Sequence, residues 1–273
     1  VTKVVVYTDL DGTLLDHHTY SWAAAADMLA QLREAGIPVV PCTSKTRAEL
    51  LPLRRELDLD TPFIVENGAA VLIPEAMHDG GDEPLIYRDG FWVQELVSPR
   101  QEWLALVEAA YADGGKVARG FSEMSDEEIA AATGLSIPMA ARAAAREYGE
   151  PLQWLVAPED RVTFRDYIEH HGGVILQGGR FAHVSGPSDK GRALRWLQDF
   201  FHQRWGERPV SIAAGDSHND IAMLESADWA LLVRSPSHQP PELDRTAQVL
   251  VSDAIGPAGW SEGLARILAT IGG

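Results

Sequence analysis

Cysteine is nearly missing from this 273-residue chain, where Cys42 stands alone. An internal disulfide, a thiolate zinc site and Cys-x-x-Cys redox chemistry are therefore excluded. Positive charge is scarce as well: 23 Lys and Arg face 40 Asp and Glu, for a formal net charge of −17. A nucleic-acid partner needs a basic face, so that class of function is set aside. Any anionic ligand must instead be met by a local cluster of cations or by a metal ion. No stretch approaches the roughly 18 consecutive apolar residues of a membrane span. The first apolar run, Val4 to Tyr7, is too short and too soon followed by Asp9 for a signal peptide. The expectation is a soluble, cytoplasmic protein with no membrane partner. Internal repeats, low-complexity tracts and coiled-coil heptads are absent too. What is present, 45% hydrophobic residues in a chain of this length, suffices for one large domain or two modest ones.

The chain alternates strands and helices at both ends. KVVVYT, residues 3–8, is β-branched and aromatic and runs into DLDG, the pattern of a buried strand ending in a loop. A helix is expected from Ser21 to about Gly36, then a strand over Ile37 to Cys42. Thr46 and Glu49 have capping-box spacing for a second helix, in which Pro52 predicts a kink or a later start. Phe63 to Val65 reads as a third strand. This order is that of a doubly wound parallel sheet, an α/β Rossmann-like core whose ligands bind beyond the carboxyl ends of the strands. Asp9, Thr43 and Asn67 each stand at such an end. The rhythm changes near HDGGDEP, residues 78–84, which reads as a linker, and a hairpin is expected around Asp89-Gly90. Helices after Pro99, at Ser125 and through Arg146, and strands over Leu152 to Val156, Val174 to Gln177 and Phe181 to Ser185, make a mixed α/β unit. From Ser188 the first rhythm returns. The expected organisation is a core of residues 1–77 and 187–273, with an inserted α/β cap of residues 78–186.

Two carboxylates on one strand exit, Asp9 and Asp11, repel each other unless a cation or a shared proton compensates. Mg²⁺, a hard cation that takes oxygen ligands, would relieve repulsion among Asp9, Asp11 and Asp216. Four stretches recur in order: D9-L-D-G-T13, Thr43-Ser44 after an apolar strand, Lys190 at a helix start, and G215-D-S-H-N-D220. Together they resemble the four motifs of the haloacid-dehalogenase phosphohydrolase superfamily. The resemblance implies that Asp9 attacks phosphorus to form an aspartyl phosphate. It implies further that Asp11 protonates the leaving alcohol and then activates water, its main-chain carbonyl also touching the metal. Thr43 and Ser44, the Leu10 backbone and Lys190 would bind the phosphoryl group. Asp216 would bind Mg²⁺ directly, with Asn219 and Asp220 supporting from behind.

Rival readings fail on spacing. An EF-hand loop also begins D-x-D but needs Gly sixth and Glu twelfth; here Gly12 is fourth and Tyr20 is twelfth. A thiol phosphatase built on Cys42 would need Arg where Ala48 stands, so Cys42 reads as a small buried hydrophobe. The pairs His17-His18 and His170-His171 lack metal-ligand spacing and read as solvated surface.

The position of the insert resembles the C2-type α/β cap of the sugar-phosphatase branch. C42-TSKTRAEL50, F63-IVENGA69, A145-REYGE150, Q177-GGRFAHV184 and G256-PAGW260 are similar to the mannosyl-3-phosphoglycerate phosphatase family. Thr43-Ser44-Lys45 departs from the Thr-Gly-Arg usual in other sugar phosphatases of this cap type. The implied substrate is a phosphorylated sugar-glycerate, with Lys45, Arg180 and His183 toward its carboxylate and Asn67, Gly68 and Gln177 toward neutral groups. A glucosyl ester, another sugar phosphate, or a phosphomutase or phosphotransferase reaction stay open as alternatives.

Overall fold

The computed structural model describes residues 2–78, 85–177 and 180–272. The linker at 79–84 and the pair Gly178-Gly179 lie outside the described residues. Contacts divide the chain into two units, one of residues 1–44, 59–94 and 189–273 and the other of 45–58 and 95–188.

The first unit is built on a five-stranded parallel sheet. Its spatial order is Val249–Ile255, Trp229–Arg234, Val210–Gly215, Val4–Thr8, Val39–Pro41. Val4–Thr8 is buried along its whole length, as a central strand covered on both faces must be, which is why its sequence is a continuous apolar run rather than an alternation. The chain moves to one side of Val4–Thr8 for its second strand and to the other side for Val210–Gly215. That reversal is the point where the crevice of such a sheet opens. Thr8 is in register with Ala214 on the neighbouring strand, so Asp9 and Asp216 leave two adjacent strands at the same end.

Phe63–Val65 is a strand as the sequence predicts, and its isolated bridge to the second strand, Cys42 to Ile64, is parallel. On its other side it pairs antiparallel with Ala70–Pro74, which makes it the first strand of a four-stranded sheet of its own. The turn at 66–69 reverses the chain at once, so these two strands can only be antiparallel; a parallel pair needs a crossover of about a dozen residues. The hairpin Ile86–Arg88/Phe91–Glu95 completes this sheet. Its two turn residues, Asp89 and Gly90, have φ of 49° and 83°, the left-handed pair that matches strand twist. The hairpin therefore groups with the first unit, where the composition shift at residue 78 had placed it in the insert.

The second unit is a four-stranded antiparallel sheet, ordered Ala118–Gly120, Gly149–Trp154, Ala182–Ser185, Val174–Gln177. Helices Arg100–Gly114 and Val162–His170 bring Trp103, Val107, Phe164 and Ile168 onto Leu152, Ile175 and Val184 from one face of the sheet. Helices Asp126–Thr133 and Ile137–Ala144 form a smaller cluster around Phe121, Ile129 and Ala140. Helix Arg47–Glu56 also groups here: Thr46 Oγ1 donates to the Arg142 carbonyl at 2.8 Å, and Arg47 pairs with Glu147 at 2.8 Å. Its capping box forms as the sequence predicts, and the helix starts before Pro52 rather than after it. Among the described residues, no helix is long and apolar enough to cross a membrane.

Candidate active site

The motif residues gather at the carboxyl end of the parallel sheet. Lys190 opens helix Lys190–Trp205, whose N-cap Asp189 accepts from the Arg192 amide at 2.7 Å. The Lys190 side chain is fully buried and its ammonium donates to Asp9 Oδ1 at 2.6 Å and to Asp220 Oδ1 at 2.7 Å. Asp220 Oδ2 accepts from the backbone N–H groups of Asp216 and Ser217 at 3.1 and 3.0 Å. Both Asp220 oxygens are thus engaged by groups of the chain. Asp216 Oδ1 accepts from Thr13 Oγ1 at 3.2 Å.

Gly12 explains the spacing of D-x-D-G. Its φ is +82°, and a Cβ there would stand 2.7 Å from Asp216 Oδ2. Only glycine allows the first loop both to turn and to approach the carboxylate from the far end of the chain so closely.

The electrostatics are crowded. Burial pushes the Asp9 carboxyl up to about 8; the Lys190 charge pulls it down, while Asp220 and Asp11 add to the rise. Burial and Asp220 likewise raise Asp216. Burial opposes the Lys190 charge, but Asp220 and Asp9 outweigh it and hold the ammonium protonated. Asp9, Asp216 and Asp220 each offer an oxygen within 4.8 Å of the others. A further cation would favour the ionised forms of Asp9 and Asp216 that burial disfavours, and an all-oxygen donor set suits Mg²⁺. The Asp11 carboxylate does not belong to that oxygen cluster, so any Asp11 contact to a metal falls to its main chain.

Thr43 is buried and its amide donates to the Ile64 carbonyl at 3.0 Å; Ser44 is exposed and Lys45 partly so. The Leu10 side chain is fully buried, leaving only its backbone for a ligand. Asn219 Nδ2 donates to Asn67 Oδ1 at 3.2 Å. Cys42 is buried and its thiol is pushed up by burial, in line with an inert hydrophobe. Both histidine pairs are exposed.

The three residues expected to meet substrate from the insert are not gathered on one face. Ala182 pairs with Gln177 and His183 with Leu176, so Gln177 lies on the helix-covered side and His183 on the other. Gln177 accepts from Trp154 Nε1 at 2.9 Å, and Arg180 donates to the Ala132 carbonyl at 2.9 Å. His183 is mostly buried, and its imidazole is lowered to about 4 by burial and by the nearby Arg146 charge. It is therefore neutral near pH 7 and supplies no cation for a carboxylate. Sequence reasoning also missed His238, whose Nε2 lies 3.4 Å from Asp216 Oδ2. A lone histidine in the proline-rich loop at 235–241 carries no motif that would have revealed it.

Comparisons with known proteins agree with this geometry. Residues 6–83 match the haloacid dehalogenase-like hydrolase family. A protein of Methanococcoides burtonii named glucosyl-3-phosphoglycerate/mannosyl-3-phosphoglycerate phosphatase is 36% identical over 270 residues, with 97% of each chain covered. A protein of the same name from Persephonella marina is 34% identical over 267 residues, again with 97% of each covered. Among solved structures, the sucrose-phosphatase of Synechocystis superposes with a TM-score of 0.61 at 15% identity, covering 98% of both chains. BT1666 of Bacteroides thetaiotaomicron, a protein of the HAD phosphatase superfamily, superposes at 0.64 and 20% identity, covering 99% of this chain and 96% of its own. These two likenesses concern the fold.

Proposed function

The chain belongs to the haloacid dehalogenase-like hydrolases as a phosphoric monoester hydrolase, and on that premise we propose that it converts mannosyl-3-phosphoglycerate to mannosylglycerate and phosphate. The observation that carries the chemistry is the buried Lys190 ammonium shared by Asp9 and Asp220 beside Asp216. The substrate follows from the names of the two relatives and from the sequence phrases that resemble that family.

Asp9 is the nucleophile. Its carboxylate oxygen forms a bond to phosphorus as the bond from phosphorus to the glycerate oxygen breaks, and Asp11 gives its proton to that departing oxygen. Asp11 then takes a proton from water as the water oxygen attacks the phosphoryl group, releasing phosphate and restoring Asp9. Lys190 holds Asp9 in place and offsets charge on the phosphoryl oxygens, which Thr43 and Ser44 bind by hydrogen bonds. Asp9 and Asp216, with the Asp11 main-chain carbonyl, would hold Mg²⁺. When bound, Mg²⁺ supplies neutralisation of the anionic ester. Lys45 and Arg180 are the candidate cations for the glycerate carboxylate. A cytoplasmic location is part of this reading, in keeping with a single buried cysteine.

The relatives' shared name makes the glucosyl ester a second reading, since one inverted hydroxyl is distinguished only by pocket shape. A phosphate-release panel decides, with Mg²⁺ and with EDTA, on mannosyl- and glucosyl-3-phosphoglycerate and on sucrose and trehalose phosphates. The expected result is Mg²⁺-dependent release, fastest from the mannosyl ester. Faster release from sucrose phosphate overturns the substrate. Turnover only in the presence of an acceptor sugar overturns hydrolysis in favour of phosphoryl transfer.

A further inference from the structure

Three residues in succession after the strand Phe63–Val65 have left-handed backbone: Glu66, Asn67 and Gly68, with φ of 47°, 58° and 92°. One such residue is ordinary in a turn, particularly Asn. A buried glutamate followed by Asn and Gly, all left-handed, is costly at about 1–2 kcal/mol per side-chain-bearing residue and persists only where the surroundings over-determine it. The surroundings here come from three parts of the candidate site. The Asn67 amide donates to the Thr43 carbonyl at 2.9 Å. The Asn67 side-chain oxygen accepts from Asn219 at 3.2 Å. A Cβ on Gly68 would lie 2.2 Å from the Asp189 carbonyl oxygen and 2.9 Å from the Lys190 nitrogen, so the turn is pressed against the backbone where the Lys190 helix begins.

Thr43, Lys190 and Asn219 are far apart in sequence, and this turn touches the segment of each. Gly68 has no side chain to offer a substrate, and the space one would occupy is filled by Asp189. The Asn67 oxygen accepts from Asn219, which fixes the orientation of the side chain. These contacts give the two positions a role that needs no substrate. We infer that the turn Glu66–Gly68 is a positioning device, in which Asn67 ties the loop carrying Thr43 to the loop carrying Asn219 and Gly68 seats the start of the Lys190 helix against both. The inference rests on the phosphatase reading for its kinetic consequence, but not for its geometry.

Two substrates separate positioning from contact. p-Nitrophenyl phosphate has neither sugar nor glycerate, so a residue that only touches those groups leaves its hydrolysis alone. Asn67→Ala and Asn67→Gly are each expected to lower kcat roughly tenfold on mannosyl-3-phosphoglycerate and on p-nitrophenyl phosphate alike, with KM changed less than about twofold. Asn219→Ala should give a similar loss, and combining it with Asn67→Ala should add little, because the pair acts through one bond. A rise in KM confined to the sugar ester overturns the inference in favour of substrate contact. Full activity of Asn67→Gly overturns it in favour of backbone conformation alone. Amide hydrogen exchange is read in parallel on the same variants. Faster exchange across residues 215–220 at an unchanged melting temperature supports the tie, and unaltered exchange there overturns it even if the parent chain releases no phosphate.

Discussion

Glu150 in the second unit and Asp9 in the first are both buried carboxylates, yet their partners differ in kind. Glu150 is fully buried, and its oxygens accept from Arg100 Nε at 2.7 Å and from the backbone N–H and hydroxyl of Ser122, both at 2.8 Å. Arg100 in turn donates to the Ala144 carbonyl at 3.0 Å. One acid meets one base, and the remaining lone pairs meet local donors. At the end of the parallel sheet, Asp9 and Asp220 share the ammonium of Lys190, with an Asp216 oxygen within 4.8 Å of an oxygen of each. Matched charge of the first kind holds an element in place; unmatched charge of the second kind is a standing cost unless a ligand cancels it. The comparison teaches where to look for chemistry: at the buried charges whose sum is not zero.

Replacing Asp9 with Asn should break the comparison most severely. Phosphate release is expected to fall at least about a thousandfold with an unchanged circular dichroism spectrum, because one repelling charge is removed and no packing is lost. Substantial residual turnover would remove Asp9 as nucleophile. Next come the two cations. Lys190→Met and Arg100→Met each leave a buried carboxylate without its base, and each should cost about 3–5 kcal/mol in denaturant unfolding. The difference lies in rescue. Millimolar Mg²⁺ should raise the melting temperature of Lys190→Met, since a divalent ion replaces the lost charge and binding to the native state stabilises it. It should leave Arg100→Met where it was. Equal rescue of both would mean that the two buried carboxylate sites do not differ in their affinity for a divalent ion.

The smallest effect concerns pH and the second unit. Because His183 is lowered to about 4 when folded against 6.5 when free, the unfolded chain binds the extra proton between those values. Stability should therefore be complete above about pH 6.5 and be lost as pH falls toward about 4, by at most about 3 kcal/mol. His183→Gln should flatten that part of the stability profile measured by denaturant melts. An unaltered acid limb would mean that His183 is well solvated.

Much of the candidate site was legible because its signals are local. Asp9 and Asp11 at a strand exit, the Thr46 to Glu49 capping box and the Asp89-Gly90 hairpin each depend on a few neighbouring residues. The misreadings share the opposite property. Phe63 to Val65 is the expected strand, parallel to Cys42 at one bridge, but nothing within three residues told that its other edge would pair antiparallel with Ala70–Pro74. The linker-like composition near residue 80 hid the fact that the next hairpin hydrogen-bonds back to Ala70–Pro74. Gln177 and His183 are close in sequence, but an odd number of positions across a two-stranded register sets them on opposite faces.

The order of residues along the chain decided the chemistry on offer: acids, a lysine and small hydroxyls at the ends of apolar strands, with almost no thiol and little basic surface. Residue type and short-range backbone preference are properties a few neighbouring positions can encode. Which acids share the lysine, that His238 reaches Asp216, and that Asn67 meets Asn219 were decided by the tertiary fold. The bonds from Lys190 to Asp9 and from Asn219 to Asn67 join segments more than a hundred residues apart, and no local pattern records such a pairing.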